Sequence, residues 1–189
     1  MTAHVEELKD YPQDELAAQP IGAWTGQAYR RVVGAIRAQL AVENLTQPHW
    51  WTLNHAAGAP GTWTRATLTA RLTPYDDQHT DFDAVYDDLT ARGWLTEDDT
   101  TGGLTLTDEG EAARLRARER NLRVHHQTHE GVSRADFITT INVLRRMVAN
   151  LGGDGNLPEP PNSSTATGPA DDAAEHTAPL ADRRDGTDR

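Results

Sequence analysis

The chain of 189 residues has no cysteine, so neither disulfides nor thiolate chemistry is open to it, and this composition suits a reducing cytosol. No apolar run approaches the roughly 20 residues that a membrane helix needs. The segment MTAHVEELKDYPQDEL is acidic and lacks the apolar core of a secretory signal. A soluble, cytoplasmic protein is expected, with no membrane partner. Positive charge is scarce as well. The formal net charge is −11, which opposes general affinity for nucleic acid or anionic membranes. No serine stands in a nucleophile elbow and no glycine-rich loop is built to cradle phosphate. Asp76-Asp77 and Asp87-Asp88 are sequence neighbours, whereas acid/base pairs usually come from separated segments. A non-enzyme without cofactors is the reading.

The charge that is present is uneven. Residues 1–19 carry a net −4 and residues 20–61 a net +2. Between Thr62 and Gly110 stand three arginines, no lysine and eleven acids, a net −8. Residues 111–152 return to +4, and the stretch from 153 onward sums to −5.

Three segments follow from these shifts. Residues 1–19 read as weakly ordered, 20–153 as a folded domain, and 154–189 as a disordered acidic tail. In the tail Pro, Gly, Ser, Thr and Asp replace any apolar periodicity. Six helices are expected in the domain. The first spans 20–45, with Trp24, Ala28, Val32, Ile36 and Leu40 on one face and Tyr29 and Val33 beside them. The second starts at Gln47-Pro48 and breaks at Gly58-Ala59-Pro60. Trp63 reads as a short strand, and Thr64 caps a third helix through Leu72. The fourth follows Thr80 or Asp81, buries Phe82, Val85, Tyr86 and Leu89, and stops at Arg92-Gly93. Trp94–Thr96 and Leu104–Leu106 form a hairpin around Gly102-Gly103. The fifth helix runs from Thr107-Asp108-Glu109 to His129. The sixth follows Ser133 and repeats Phe137, Ile141, Leu144, Val148 and Leu151 at alternating four- and three-residue steps, a seam suited to another long helix.

The segments LTARL (68–72), VYDDLTARGWL (85–95), LTLTDEGEAAR (104–114) and VLRRMVANLGG (143–153) resemble the multiple antibiotic resistance regulator (MarR) family across residues 20–153. The resemblance implies a mostly α winged helix-turn-helix (46–110) with a small β-hairpin wing, flanked by dimerisation helices at 20–45 and 111–152. It implies a homodimer on double-stranded DNA, with a recognition helix in the major groove and the wing at the minor groove. It also implies a crevice for a small aromatic ligand.

Placed on this sequence, the DNA-facing residues are Thr64, Arg65, Arg71, His79, Thr80, Asp81, Asp83, Ala84 and Asp88. Ala84 and Asp88 stand where the family commonly carries arginine, and the wing offers Glu97, Asp98 and Asp99 with no base. Carboxylates accept from cytosine's amine yet repel phosphate, so a module that binds protein or ligand and no longer reads DNA stays open. The acids also have structural uses: Asp81 and Asp83 suit a helix N-terminus, and Asp87 and Asp88 can pair with Arg71, Arg92 or an arginine of the fifth helix. The crevice residues are Trp24, Tyr29, His49, Trp50 and Trp51, many of which also serve as core. Arg114, Arg116, Arg118, Arg120 and Arg123 read first as neutralising the acidic fourth helix and wing. His125 and His129, one helical turn apart, could share a metal only with a third ligand such as His49 or His55, so no metal is assigned.

Overall fold

A computed structural model describes residues 8–156. Its elements are α1 (Gln13–Ala17), α2 (Ile21–Ala41), α3 (Gln47–Gly58), α4 (Arg65–Leu72), a 3-10 turn (Thr73–Tyr75), α5 (Phe82–Ala91), β1 (Leu95–Glu97), β2 (Leu104–Leu106), α6 (Asp108–His129) and α7 (Arg134–Asn150). The expected disorder of 154–189 lies outside the described residues except for 154–156, as do residues 1–7 of the amino-terminal segment.

Two boundaries differ from expectation. The segment 1–19 contains the short, fully exposed helix α1. The first long helix ends at Ala41, four residues early. Asn44 there adopts a positive φ of 54°, and the Leu45 N–H bonds back to the Leu40 carbonyl at 3.0 Å. That reversal satisfies helix-end carbonyls and folds Leu45 into the core. Trp63 lies in no regular strand, although its carbonyl accepts from the Leu104 N–H at 2.8 Å beside β2.

The remaining signals act as their chemistry dictates. Thr64, Asp81, Thr107 and Ser133 each cap a helix through the side chain, supplying acceptors to otherwise orphaned N–H groups. Gly93, with φ +70°, closes α5 and lets the Trp94 N–H reach the Leu89 carbonyl at 3.0 Å. The wing is antiparallel, pairing Leu95 with Leu106 and Glu97 with Leu104.

The core gathers Leu40, Leu45, Leu53, Leu68, Leu72, Phe82, Val85, Tyr86, Leu89, Leu95 and Leu104. Each α5 position expected inside is buried. Ala113 and Ala117 give α6 a smooth face toward the body, where small side chains permit close approach of helix axes. α7 behaves differently, with no buried residue. Phe137 and Val148 are 40% and 45% exposed, and Leu151 is 89% exposed. The amino-terminal half of α2 likewise leaves Ile21, Trp24 and Tyr29 exposed. Among the described residues, these two faces leave much of their apolar surface uncovered.

Candidate nucleic-acid interface

α3, α4 and α5 pack on one another as the helices of a helix-turn-helix, and α5 presents its outer face to solvent. Asp83 and Asp87 are 76% and 70% exposed there, and Ala84 is exposed between them. The nominal contact residues are largely occupied within the fold. Thr64 caps α4 and shares hydrogen bonds with Thr67. Asp81 accepts the Ala84 N–H. Thr80 donates both its N–H and its hydroxyl to Asp76, at 2.6 and 2.9 Å. His79 stands beside them in a left-handed conformation, φ 53°. Arg71 closes α4 and is half-buried.

Arg65 is the centre of this surface. Its Nε donates to Glu97 of the wing at 2.8 Å, and one terminal nitrogen donates to Asp87 of α5 at 2.7 Å. The same nitrogen lies 3.8 Å from Asp83, and the guanidinium sits over the Tyr86 ring. The bond to Asp87 is the main cause that raises the arginine's pKa above its ordinary value. One cation thus ties α4, α5 and the wing together, and its charge is spent on carboxylates of the same face.

Asp88 is turned aside. It lies 3.1 Å from His49 Nε2 and 2.6 Å from Arg92, while His49 Nδ1 lies 2.7 Å from the Thr46 hydroxyl. This clasp joins α5 to the start of α3. Asp98, in the wing, accepts from the N–H groups of Thr100 and Thr101 and from the Thr101 hydroxyl. Those bonds, the Thr101 N–H foremost, hold its pKa low and build the hairpin tip.

Arg114, Arg116, Arg120 and Arg123 of α6 do not take the partners expected of them. Arg116 and Arg120 both grip Glu43, at 3.0 and 2.6 Å, and their hydrogen bonds, Arg120's first, hold its carboxyl below the usual range. Arg114 bonds Glu111 and Asn54, and Arg123 pairs with Glu119. These contacts anchor the connection after α2 and the body of α6. Sequence spacing gave no hint of Glu43, because its partners stand more than 70 positions away.

The crevice residues have different surroundings among the described residues. Trp50 and Trp51 pack on the core, His49 belongs to the Asp88 clasp, and Trp24 is exposed, with its indole N–H donating to Gln19. Tyr29 donates to Asp77 at 2.5 Å, where Arg37 also binds at 2.5 Å. The rings of His125 and His129 stack at 4.0 Å, and His129 Nδ1 faces the His125 carbonyl at 2.8 Å. Among the described residues no three His, Asp or Glu side chains are grouped to hold a metal, and no helix is long and apolar enough to cross a membrane.

Neither a family model nor a curated protein matches the chain, but solved structures do. A MarR family transcriptional regulator from Silicibacter pomeroyi superposes with a TM-score of 0.57 at 16% identity, over 75% of this chain and 99% of that one. The chain has the MarR winged-helix fold. A Mycobacterium tuberculosis MarR family protein in complex with DNA gives 0.52 at 20% identity, over 71% and 99%. Bordetella bronchiseptica BpsR, whose DNA binding is regulated by 6-hydroxynicotinic acid, gives 0.54 at 21%, over 74% and 99%. The mostly helical architecture with a two-stranded wing is therefore as the sequence implied. α5 stands in the place of the second helix of the helix-turn-helix, and its outer face is acidic.

Burial also makes the helix-turn-helix sensitive to acid. His49 and His55 both have pKa values lowered from 6.5, chiefly by burial; Asp88 opposes this at His49 and the Trp51 carbonyl opposes it at His55. A ring whose folded pKa is depressed favours unfolding when protonated. The stability of the neutral rings is complete above the unfolded value, 6.5, and declines as the pH falls below it. Tm should drop between pH 7.5 and 5.5, above the range where the carboxylates titrate. His55→Phe, which keeps a ring against Trp63, should shrink that drop; an unchanged drop would refute the assignment.

Proposed function

We propose that the protein is a MarR-type transcriptional regulator, a cytoplasmic non-enzyme that acts as a homodimer on double-stranded DNA and responds to a small aromatic ligand. The observation that carries this is the extent of the match. The chain spans 99% of the length of MarR regulators, terminal helices included, and leaves the α7 seam and the start of α2 uncovered. A second copy of the chain would bury both faces. The DNA complex of the M. tuberculosis neighbour and the regulation of BpsR by 6-hydroxynicotinic acid support the partners.

A second reading is favoured by the Arg65 hub and the exposed acids of α5. In it the winged helix engages a protein or ligand and no longer reads DNA. Binding to promoter-length duplex at several salt concentrations separates the two. Non-specific affinity comes from cations that displace counterions, so the wild type should bind random duplex weakly and with a shallow salt slope. Ala84→Arg with Ala91→Arg adds two cations to the outer face of α5 without touching the Asp88 clasp. Non-specific affinity should then rise by about tenfold or more. Saturable, sequence-selective binding by the wild type supports the first reading. Its absence from every promoter-region fragment supports the second. Tight binding to random duplex with a steep salt slope would overturn the account of the interface and move it to the arginines of α6.

A further inference from the structure

α2 has an outer face whose charge no carboxylate meets among the described residues. Ile36 and Leu40 turn toward the core, while Gln27, Arg30 and Arg31 stand on the opposite side of the helix, all exposed. Their neighbours on that side, Ala23, Gly34 and Ala38, are small, and a Cβ at Gly34 would meet nothing within 4 Å. Arg30 lies back along the helix, its Nη1 3.4 Å from where Gly26 would carry a Cβ. The three long side chains line an open recess of about 370 Å³. Elsewhere Arg65, Arg92, Arg116 and Arg120 each hold a carboxylate. Neither Arg30 nor Arg31 has a hydrogen bond or ion pair among the described residues. In the other adjacent pair, Arg145 and Arg146, Arg145 is engaged by the Gly155 carbonyl at 2.6 Å.

The sequence supplies a matching partner. Over residues 157–189 acids outnumber arginines seven to three. Those arginines stand among acids in ADRRDGTDR (181–189), whereas DDAAE (171–175) holds Asp171, Asp172 and Glu175 with no base. The stretch from Asn156 to Asp171 can span up to about 50 Å, more than the roughly 32 Å length of α2. We propose that the Gln27–Arg30–Arg31 face of α2 is a docking surface for an acidic peptide, and that segment 171–175 of the same chain is its occupant. Asp171 and Asp172 bring one carboxylate for each guanidinium. Exposed pairs of this kind are weak one by one. A tether of this length supplies a high effective concentration, so weak pairs suffice. The docked acids withhold the arginine pair from other polyanions. The contact is separate from the winged helix and holds whether or not α5 meets DNA.

The absence of cysteine makes the contact measurable in the full chain. Ala173→Cys gives a single site for a nitroxide label, whose resonance spectrum reports local motion. At low ionic strength the label should show an immobilised component. Arg30→Gln with Arg31→Gln should cut that component by about threefold or more, since two exposed ion pairs are lost. Asp171→Asn with Asp172→Asn should do the same, and leaves residues 8–156 untouched if the arginine variant folds poorly. Salt near 1 M, where charges are screened beyond about 3 Å, should also release the label. Arg134→Gln with Arg146→Gln, on α7, should change nothing. On a heparin column the Asp171/Asp172 variant should elute at higher salt than the parent, and this gain should vanish when Arg30 and Arg31 are also replaced. A fully mobile label in the parent chain would overturn the proposal. So would an immobilised component that survives replacement of both arginines, or an equal heparin gain with and without them.

Discussion

Gly110→Ala is expected to destabilise the protein by about 3 kcal/mol or more, at the upper end of overpacking effects. A Cβ at this position would lie 2.0 Å from the Trp94 carbonyl oxygen and 2.9 Å from its carbon. Both are backbone atoms, so no side-chain rotation relieves the clash. Trp94 also receives the Thr107 N–H at its carbonyl, at 3.1 Å, which fixes it against the start of α6. The glycine therefore permits the first turn of α6 to lie on the entrance to the wing. Gly22→Ala is the matching control. It lies in α2 with nothing within 4 Å of its Cβ, and alanine there should be neutral or stabilising by roughly 0.5–1 kcal/mol. Urea denaturation of both variants checks the pair; similar midpoints would show that the α6–wing approach is not tight.

Leu144→Asp should convert the proposed dimer to monomer at micromolar concentration, as read by light scattering. Leu144 is the middle of the seam Phe137, Ile141, Leu144, Val148 and Leu151, and it is only part-buried by its own chain. A carboxylate placed there would be stripped of water on association without a partner, at a cost of several kcal/mol. Thr139→Asp, on the opposite side of α7 and exposed, should leave the dimer intact. Retained helical content in the Leu144 variant would show that the substitution acts on association. A wild type that is monomeric at that concentration would refute the homodimer directly.

Much of the fold was legible because its signals are local. Caps, the Gly93 stop, the 2-residue alternation of the wing strands and the apolar face of α5 each depend on residues a few positions apart. The end of α2 was misjudged because the reversal at Asn44 is set by Leu45 entering the core, which is a tertiary demand. The site was less legible for the same reason. That α5 is acidic could be counted, but Arg65 reaches Asp87 and Glu97 across 22 and 32 positions. Asp88 pairs with Arg92 by helical spacing, as anticipated, whereas its bond to His49 crosses 39. Arg116 and Arg120 of α6 sat in a basic run that was set against the acids of α5 and the wing. Their distances in space chose Glu43 instead.

The Arg65 hub has a mechanical meaning. A single planar group fastens α4, α5 and β1 at three points, so these elements travel as one stiff paddle and resist bending. The paddle also packs on α3 and on the start of α6, so any motion of it against the long helices has to slide those contacts as well as the Asp77 turn.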